Sequence, residues 1–215
     1  MAYFAFSSLR IVQRSVYAGL LGLAMYATAA IAATATNSTP APTVFYGHQF
    51  EQQQTLDQQV LHLNGVGGRS VPVIFMRVFA TALYLPNSAH EADAIINMAG
   101  AKRIQIRMNY GVAAKEFKKA LLRGIEKNYS PQEQAALAPR TQAFGAIIDS
   151  FGKVQSGDVI NMDFVPEQGL LVSVNGQAKG QAIAGADFYA AVLRIFIGKR
   201  PAEQDMKERL LGLKK

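Results

Sequence analysis

The chain has 215 residues, half of them hydrophobic, no cysteine and a formal charge of +7. Zero cysteines exclude disulfides, thiol nucleophiles and attachment of a lipid at an N-terminal cysteine, so the fold must hold by packing alone. The basic balance favours anionic ligands or lipid surfaces as partners.

The first 32 residues read as an address. Arg10 and Arg14 come without any acid, an apolar run follows from Val16 to Ala27, and the small-residue pattern Ala30-Ile31-Ala32 closes it. A basic start, a short apolar stretch and an A-x-A site predict a secretory signal peptide. The apolar run falls short of the roughly 20 residues that a membrane span needs. Cleavage after Ala32 and export to the periplasm are therefore expected, with no stable membrane span left afterwards and no nucleic acid as partner. Residues 33–43 (ATATNSTPAPT) are small, polar and proline-containing, which predicts a flexible leader. The remainder, 44–215, is long enough for one domain with its own core. No repeat is visible, and the oligomeric state is left open.

Gln59 to Leu63 reads as a short strand, and Asn64-Gly65 as a hairpin signal. Gly67-Gly68 extends that glycine turn, with Arg69 at its exit. Val71 to Leu85 is rich in β-branched and aromatic residues and too long for one flat strand, so a bent strand or two strands are expected. Arg103 to Asn109 alternates polar and apolar, the mark of a strand with one wet face. From Val112 the period becomes helical, with Ala113, Phe117, Ala120, Leu121 and Gly124 on one face and Lys115, Lys118, Lys119 and Arg123 largely elsewhere. Ser130-Pro131-x-Glu133 predicts a capped helix start, and Pro139 a kink or restart before the apolar stripe Phe144, Ile147, Ile148 and Phe151. Strands are expected over Asp158–Val165, Leu170–Val174 and, after an Asn175-Gly176 hairpin, Gln177–Ile183. A helix over Asp187–Ile197 stops at Gly198, and a short last helix uses Met206, Leu210 and Leu211. Strands, helices, strands and helices in that order predict an α+β fold, an antiparallel sheet with helices layered on one face.

The chemical inventory is thin. His48, His62 and His90 lack metal-ligand spacing. No G-x-S-x-G motif is present, and the GVGGR glycines lack the Gly-Lys-Ser/Thr of a phosphate loop. No catalytic residue, cofactor site or metal site is assigned. The methionines read as core filling, the basic helix face as a solvated face. Asp163 and Glu167 straddle a turn, where the alternatives are a carboxylate pair or a wet strand face. Arg69 is the residue of interest. Its planar guanidinium matches a carboxylate, so it is either a rim arginine or the anchor for an amphipathic acid whose tail enters a cleft.

The run GVGGR with RVFATALYLP, the segment from Gly157 to Pro201 and the terminal KERLLG resemble the bacterial branch of the chalcone isomerase-like family, over about Val44 to Gly212. The resemblance implies an open-faced sandwich with a ligand cleft between sheet and helices, and places Arg69 at the cleft arginine of the plant isomerases. It places Phe79 at their threonine, Phe117 at their tyrosine and Gly124 at their asparagine, with Thr81 near but pointing elsewhere. The polar groups of the isomerases are thus absent. The pattern is closer to the fatty-acid-binding relatives, which keep the arginine and typically pair it with a tyrosine where Phe79 stands. Arg69, Phe79, Phe117 and Thr81 are the expected ligand-binding residues, for a fatty acid or similar amphipathic carboxylate. The alternatives are an isomerase-type intramolecular lyase and a structural or partner-binding domain without a small ligand.

Overall fold

The structure is a computed structural model that describes residues 40–74 and 76–214. The expected signal peptide and most of the expected leader lie outside the described residues. In chain order the elements are strands β1 (Thr43–Phe45), β2 (His48–Phe50), β3 (Gln53–Leu56), β4 (Gln59–Val71) and β5 (Met76–Leu85), helix α1 (Ala92–Asn97), strands β6 (Lys102–Met108) and β7 (Val112–Ala113), helices α2 (Ala114–Asn128) and α3 (Pro131–Asp149), strands β8 (Lys153–Val154), β9 (Val159–Val165), β10 (Gly169–Val174) and β11 (Gln177–Ala178), and helices α4 (Ala186–Ile197) and α5 (Gln204–Leu210). Seven strands form one antiparallel sheet in the order β11-β10-β9-β6-β5-β4-β3.

One face of the sheet carries the helices. Leu83, Leu85, Ile104, Ile106, Met108, Ile160, Met162 and Phe164, spaced two apart along their strands, pack against Phe117, Leu121, Phe144, Phe188, Val192 and Phe196 of the helices. This is the expected α+β arrangement. The opposite face is not bare: the β1–β2 hairpin lays Phe50, with Phe45 and Tyr46, over Leu61, Ala80, Ala82 and Tyr84.

Several local expectations give way to other structures. Asn64-Gly65 makes no hairpin, because β4 runs straight through it with a bulge between Leu63 and Gly65. The turn into β4 is instead Asp57-Gln58, both with positive φ. Gly67 and Gly68 sit inside the strand, so Arg69 lies near the end of β4 rather than at the start of the next strand. The expected long strand from Val71 divides at a single 3-10 turn, Pro72–Ile74. The Ser130 capping box forms on both arms, and α3 continues through Pro139 without restarting. Asn175-Gly176 is a hairpin turn with φ of 51° and 78°, but the strand after it spans only Gln177–Ala178. Gly180, at φ 66°, breaks it, and Ile183 rejoins the sheet through paired backbone hydrogen bonds with Leu170.

Candidate functional site

A cleft of about 450 Å³ opens between the end of the sheet and α2, within the size range of small-molecule sites. Its floor is apolar: Val71 of β4, Val78 and Phe79 of β5, Met108 of β6 and Phe117 of α2. Strand register builds this floor. Arg69 stands opposite Phe79, and Phe79 opposite Met108, across three neighbouring strands. Phe117 reaches the same space from α2 and is 6% exposed. Three of the four expected binding residues thus meet around one cavity.

Thr81 does not line the cleft. It lies two residues further along β5, opposite Gly67, and Gly67 is covered by Met206 of α5. Its hydroxyl is fully buried and has no hydrogen-bond partner among the described residues.

Glycines let α5 press directly onto β4. A Cβ at Gly67 would come within 3.0–3.1 Å of three Met206 atoms, and one at Gly65 would overlap the Arg209 carbonyl. This contact carries α5's preceding residue, Glu203, to the cleft's edge. There Arg69 Nε lies 3.4 Å from Glu203 Oε1, with the two side chains 44% and 39% exposed. An ion pair so open to solvent contributes little, about 0–1 kcal/mol. A ligand anion can displace it.

Gly124 also borders the cleft. A Cβ there would stand 2.7 Å from Ile195 Cγ2 of α4, so the helix pair leaves no room for an asparagine at that place. Phe79, Phe117 and Gly124 together present no hydrogen-bonding side chain.

Sequence reasoning missed the cations at the mouth. Lys119, Arg123 and Lys127 recur every four residues along α2 and border the cleft with Glu116. Their spacing was the available signal, and only Lys119 and Arg123 were read, as part of a solvated face. Lys118, on the neighbouring side, is taken by Asp149 at 2.5 Å.

Asp163 is neither in a carboxylate pair nor wet. Its two oxygens accept from Arg103 Nε and Nη2, each at 2.7 Å, on the face away from the helices, while Glu167 sits exposed in the β9–β10 turn. Burial holds the Asp163 carboxyl above its ordinary range, against the pull of the guanidinium. The pair anchors a polar ladder across that face, in which Arg107 Nε donates to Gln105 Oε1 and Gln105 Nε2 to Asn161 Oδ1. The three histidines lie apart: His48 on β2, His62 on β4, and His90 before α1, its Nδ1 2.7 Å from the Leu211 carbonyl oxygen. Among the described residues no group of three His, Cys, Asp or Glu is placed to hold a metal ion.

The model of the family described as chalcone isomerase-like matches residues 42–212. The chain belongs to the chalcone isomerase-like family. Among solved structures, this family member is similar to the fatty-acid-binding protein of Arabidopsis thaliana, with 17% sequence identity and a TM-score of 0.58. That alignment covers 79% of this chain and 95% of the plant chain, which shows a shared fold. A comparison with curated proteins finds no match. No helix among the described residues of this chalcone isomerase-like chain is long and apolar enough to cross a membrane.

Proposed function

We propose that this chalcone isomerase-like protein binds a fatty acid or similar amphipathic carboxylate without transforming it, and that it does so after export to the periplasm. The observation that carries the reading is the placement of Arg69 at the edge of a cavity floored by Val71, Phe79, Met108 and Phe117. A fatty tail takes the apolar floor, where each buried methylene contributes about 0.8 kcal/mol. Its carboxylate takes the guanidinium fork from Glu203. The likeness to a plant protein named for fatty-acid binding supports the same ligand class.

Displacement of a fluorescent fatty acid at matched salt tests this. Removing one partner of a desolvated charge pair costs about 2–5 kcal/mol, so Arg69→Ala is expected to weaken binding roughly 30-fold or more. Arg69→Lys should recover part of the loss, since a point charge cannot replace a bidentate fork. Glu203→Gln removes the internal competitor and should tighten binding by up to about fivefold, the value of an exposed pair. A fatty alcohol of equal length should bind wild type poorly and be indifferent to all three changes.

The Arg69–Glu203 pair itself favours a second reading, in which Arg69 only holds the start of α5 and the domain binds a partner rather than a small ligand. Equal affinity for acid and alcohol, unchanged by Arg69→Ala, would leave that reading standing. For export, the Arg10/Arg14 start and the Ala30-Ile31-Ala32 site support cleavage after Ala32. N-terminal sequencing of the exported protein should begin at Ala33, and retention of Met1 would refute it.

A further inference from the structure

We propose that the mouth of the cleft docks on an anionic lipid bilayer, so that the protein exchanges its ligand at a membrane surface.

The first observation is the row Lys119, Arg123 and Lys127. All three are exposed, and among the described residues none has a carboxylate within ion-pair distance. Glu116 and Glu126 lie on the same helix without pairing with them, and Glu203 is engaged with Arg69. Like charges at i,i+4 repel, and Glu116 and Glu126, three residues from Lys119 and Arg123, moderate that repulsion without closing an ion pair. The row therefore presents cationic side chains to an anionic surface.

The second observation is apolar and independent. Of the six large hydrophobic residues exposed among the described residues, three lie on two turns beside this mouth: Val73 (88%), Ile74 (62%) and Tyr110 (53%). Val73 and Ile74 follow Val71, which lines the cleft, in the turn between β4 and β5. Tyr110 is tied to the same edge, because its backbone N–H donates to the carbonyl of Val78, another cleft residue, at 3.2 Å. Singly scattered apolar residues need no explanation, but here half of the exposed ones adjoin cleft residues at one end of the sheet.

A bilayer uses both features. Basic side chains are drawn to anionic headgroups, apolar tips enter the boundary between headgroup and acyl chain, and tyrosine is enriched at that depth. Nucleic acid or an acidic protein would account for the cations alone. No helix among the described residues is long and apolar enough to cross a membrane, and the proposed contact is one of side chains with the bilayer surface.

Co-sedimentation of the full chain with vesicles tests this without any fatty acid, so its outcome is separate from that of the ligand reading. All variants share residues 1–39, and the readout is the ratio of binding to vesicles containing phosphatidylglycerol over pure phosphatidylcholine vesicles. Wild type should prefer the anionic vesicles at least tenfold at low salt, and lose the preference as salt rises. Lys119→Glu with Arg123→Glu should abolish the preference, whereas Lys179→Glu with Gln177→Glu and Gln181→Glu, the same change of charge at β11 on the far edge of the sheet, should keep it. Val73→Ser with Ile74→Ser should weaken binding several-fold with the salt dependence intact. Equal binding to both vesicle types, or equal losses in the two charge-changed variants, would overturn the proposal. So would indifference to the serine pair combined with full displacement by nucleic acid, which would make the row a general polyanion surface.

Discussion

Lys102 is the side chain whose burial is hardest to explain from its neighbours. It opens β6 on the helix-bearing face, is almost fully buried, and has its Nζ 4.9 Å from the centre of the Phe164 ring and 3.4 Å from the Gly100 carbonyl oxygen. Burial lowers its pKa from 10.5 to about 8. Below about pH 8 both the folded and the unfolded chain carry the proton, and the folded state bears the full cost of a desolvated ammonium. Between about pH 8 and 10.5 the folded chain has released a proton that the unfolded chain still holds, so this group's contribution to stability rises with pH across that window. At about 1.4 kcal/mol per pKa unit the cost at neutral pH is at most about 3 kcal/mol, and the cation–π contact returns about 0.5–1 kcal/mol of it. Lys102→Met should therefore be more stable than wild type at pH 7, by about 2 kcal/mol, with the difference shrinking toward pH 10.5. Urea unfolding of both proteins at the two pH values measures this. A methionine variant less stable than wild type at pH 7 would mean that the ammonium makes contacts worth more than its desolvation.

At the scale of elements, α2 to α5 and strands β9 and β10 were legible because their signals are local, while the short helix α1 was not read. The Ser130–Glu133 capping box, the Asn175-Gly176 turn and the stop at Gly198 each state in adjacent residues what the backbone does there. The path of β4 through its glycines, and the strands β1 to β3 before it, were not legible, and Asn64-Gly65 shows why. Asn64 Nδ2 donates to the carbonyls of Ala89 and Leu210, and its Oδ1 accepts from the Ala89 N–H. Gly65 lacks a Cβ because the carbonyls of Arg209 and Leu210 occupy that space. A pair that resembles a hairpin signal is thus a seat for α5, which arrives from the far end of the chain. The true turn, Asp57-Gln58, holds two non-glycine residues at positive φ and carries no comparable signal. For the site, it was the resemblance to the family that set Phe79 and Phe117 beside Arg69, and the structure lines one cavity with all three. Thr81 shares the face of Phe79, but α5, seated on the glycines, closes over its neighbourhood. The row Lys119, Arg123 and Lys127 was readable in the spacing of one helix, whereas the Glu203 pairing depends on where α5 meets β4, and no single segment records that.

For the molecule as a whole, the chain belongs to the chalcone isomerase-like family, and the proposal that its cleft binds without catalysing ring closure can be tested on the reaction itself. Ring closure by conjugate addition develops negative charge on an oxygen, and fixed hydrogen-bond donors aimed at that oxygen lower the barrier. Here the cleft offers Arg69 at its edge and the α2 cations at its mouth, while Phe79, Phe117 and Gly124 stand where the resemblance to the plant enzymes puts their polar groups. A hydrogen-bonding side chain at position 124 would meet Ile195 of α4. Each missing donor of this kind costs on the order of 10²-fold or more in rate, and solvent-exposed cations at the mouth act through a high dielectric that weakens their hold on a developing charge. Incubated with a chalcone, the protein should give no cyclisation above the uncatalysed rate, and Phe79→Thr with Phe117→Tyr should not restore it while Gly124 remains. Binding and turnover are separable in this measurement. A chalcone that displaces the fluorescent fatty acid yet is not converted fits a cleft that holds amphipathic ligands without acting on them. Turnover by wild type that is lost in Arg69→Ala would instead make Arg69 sufficient for the chemistry and return the protein to the enzymes of its family.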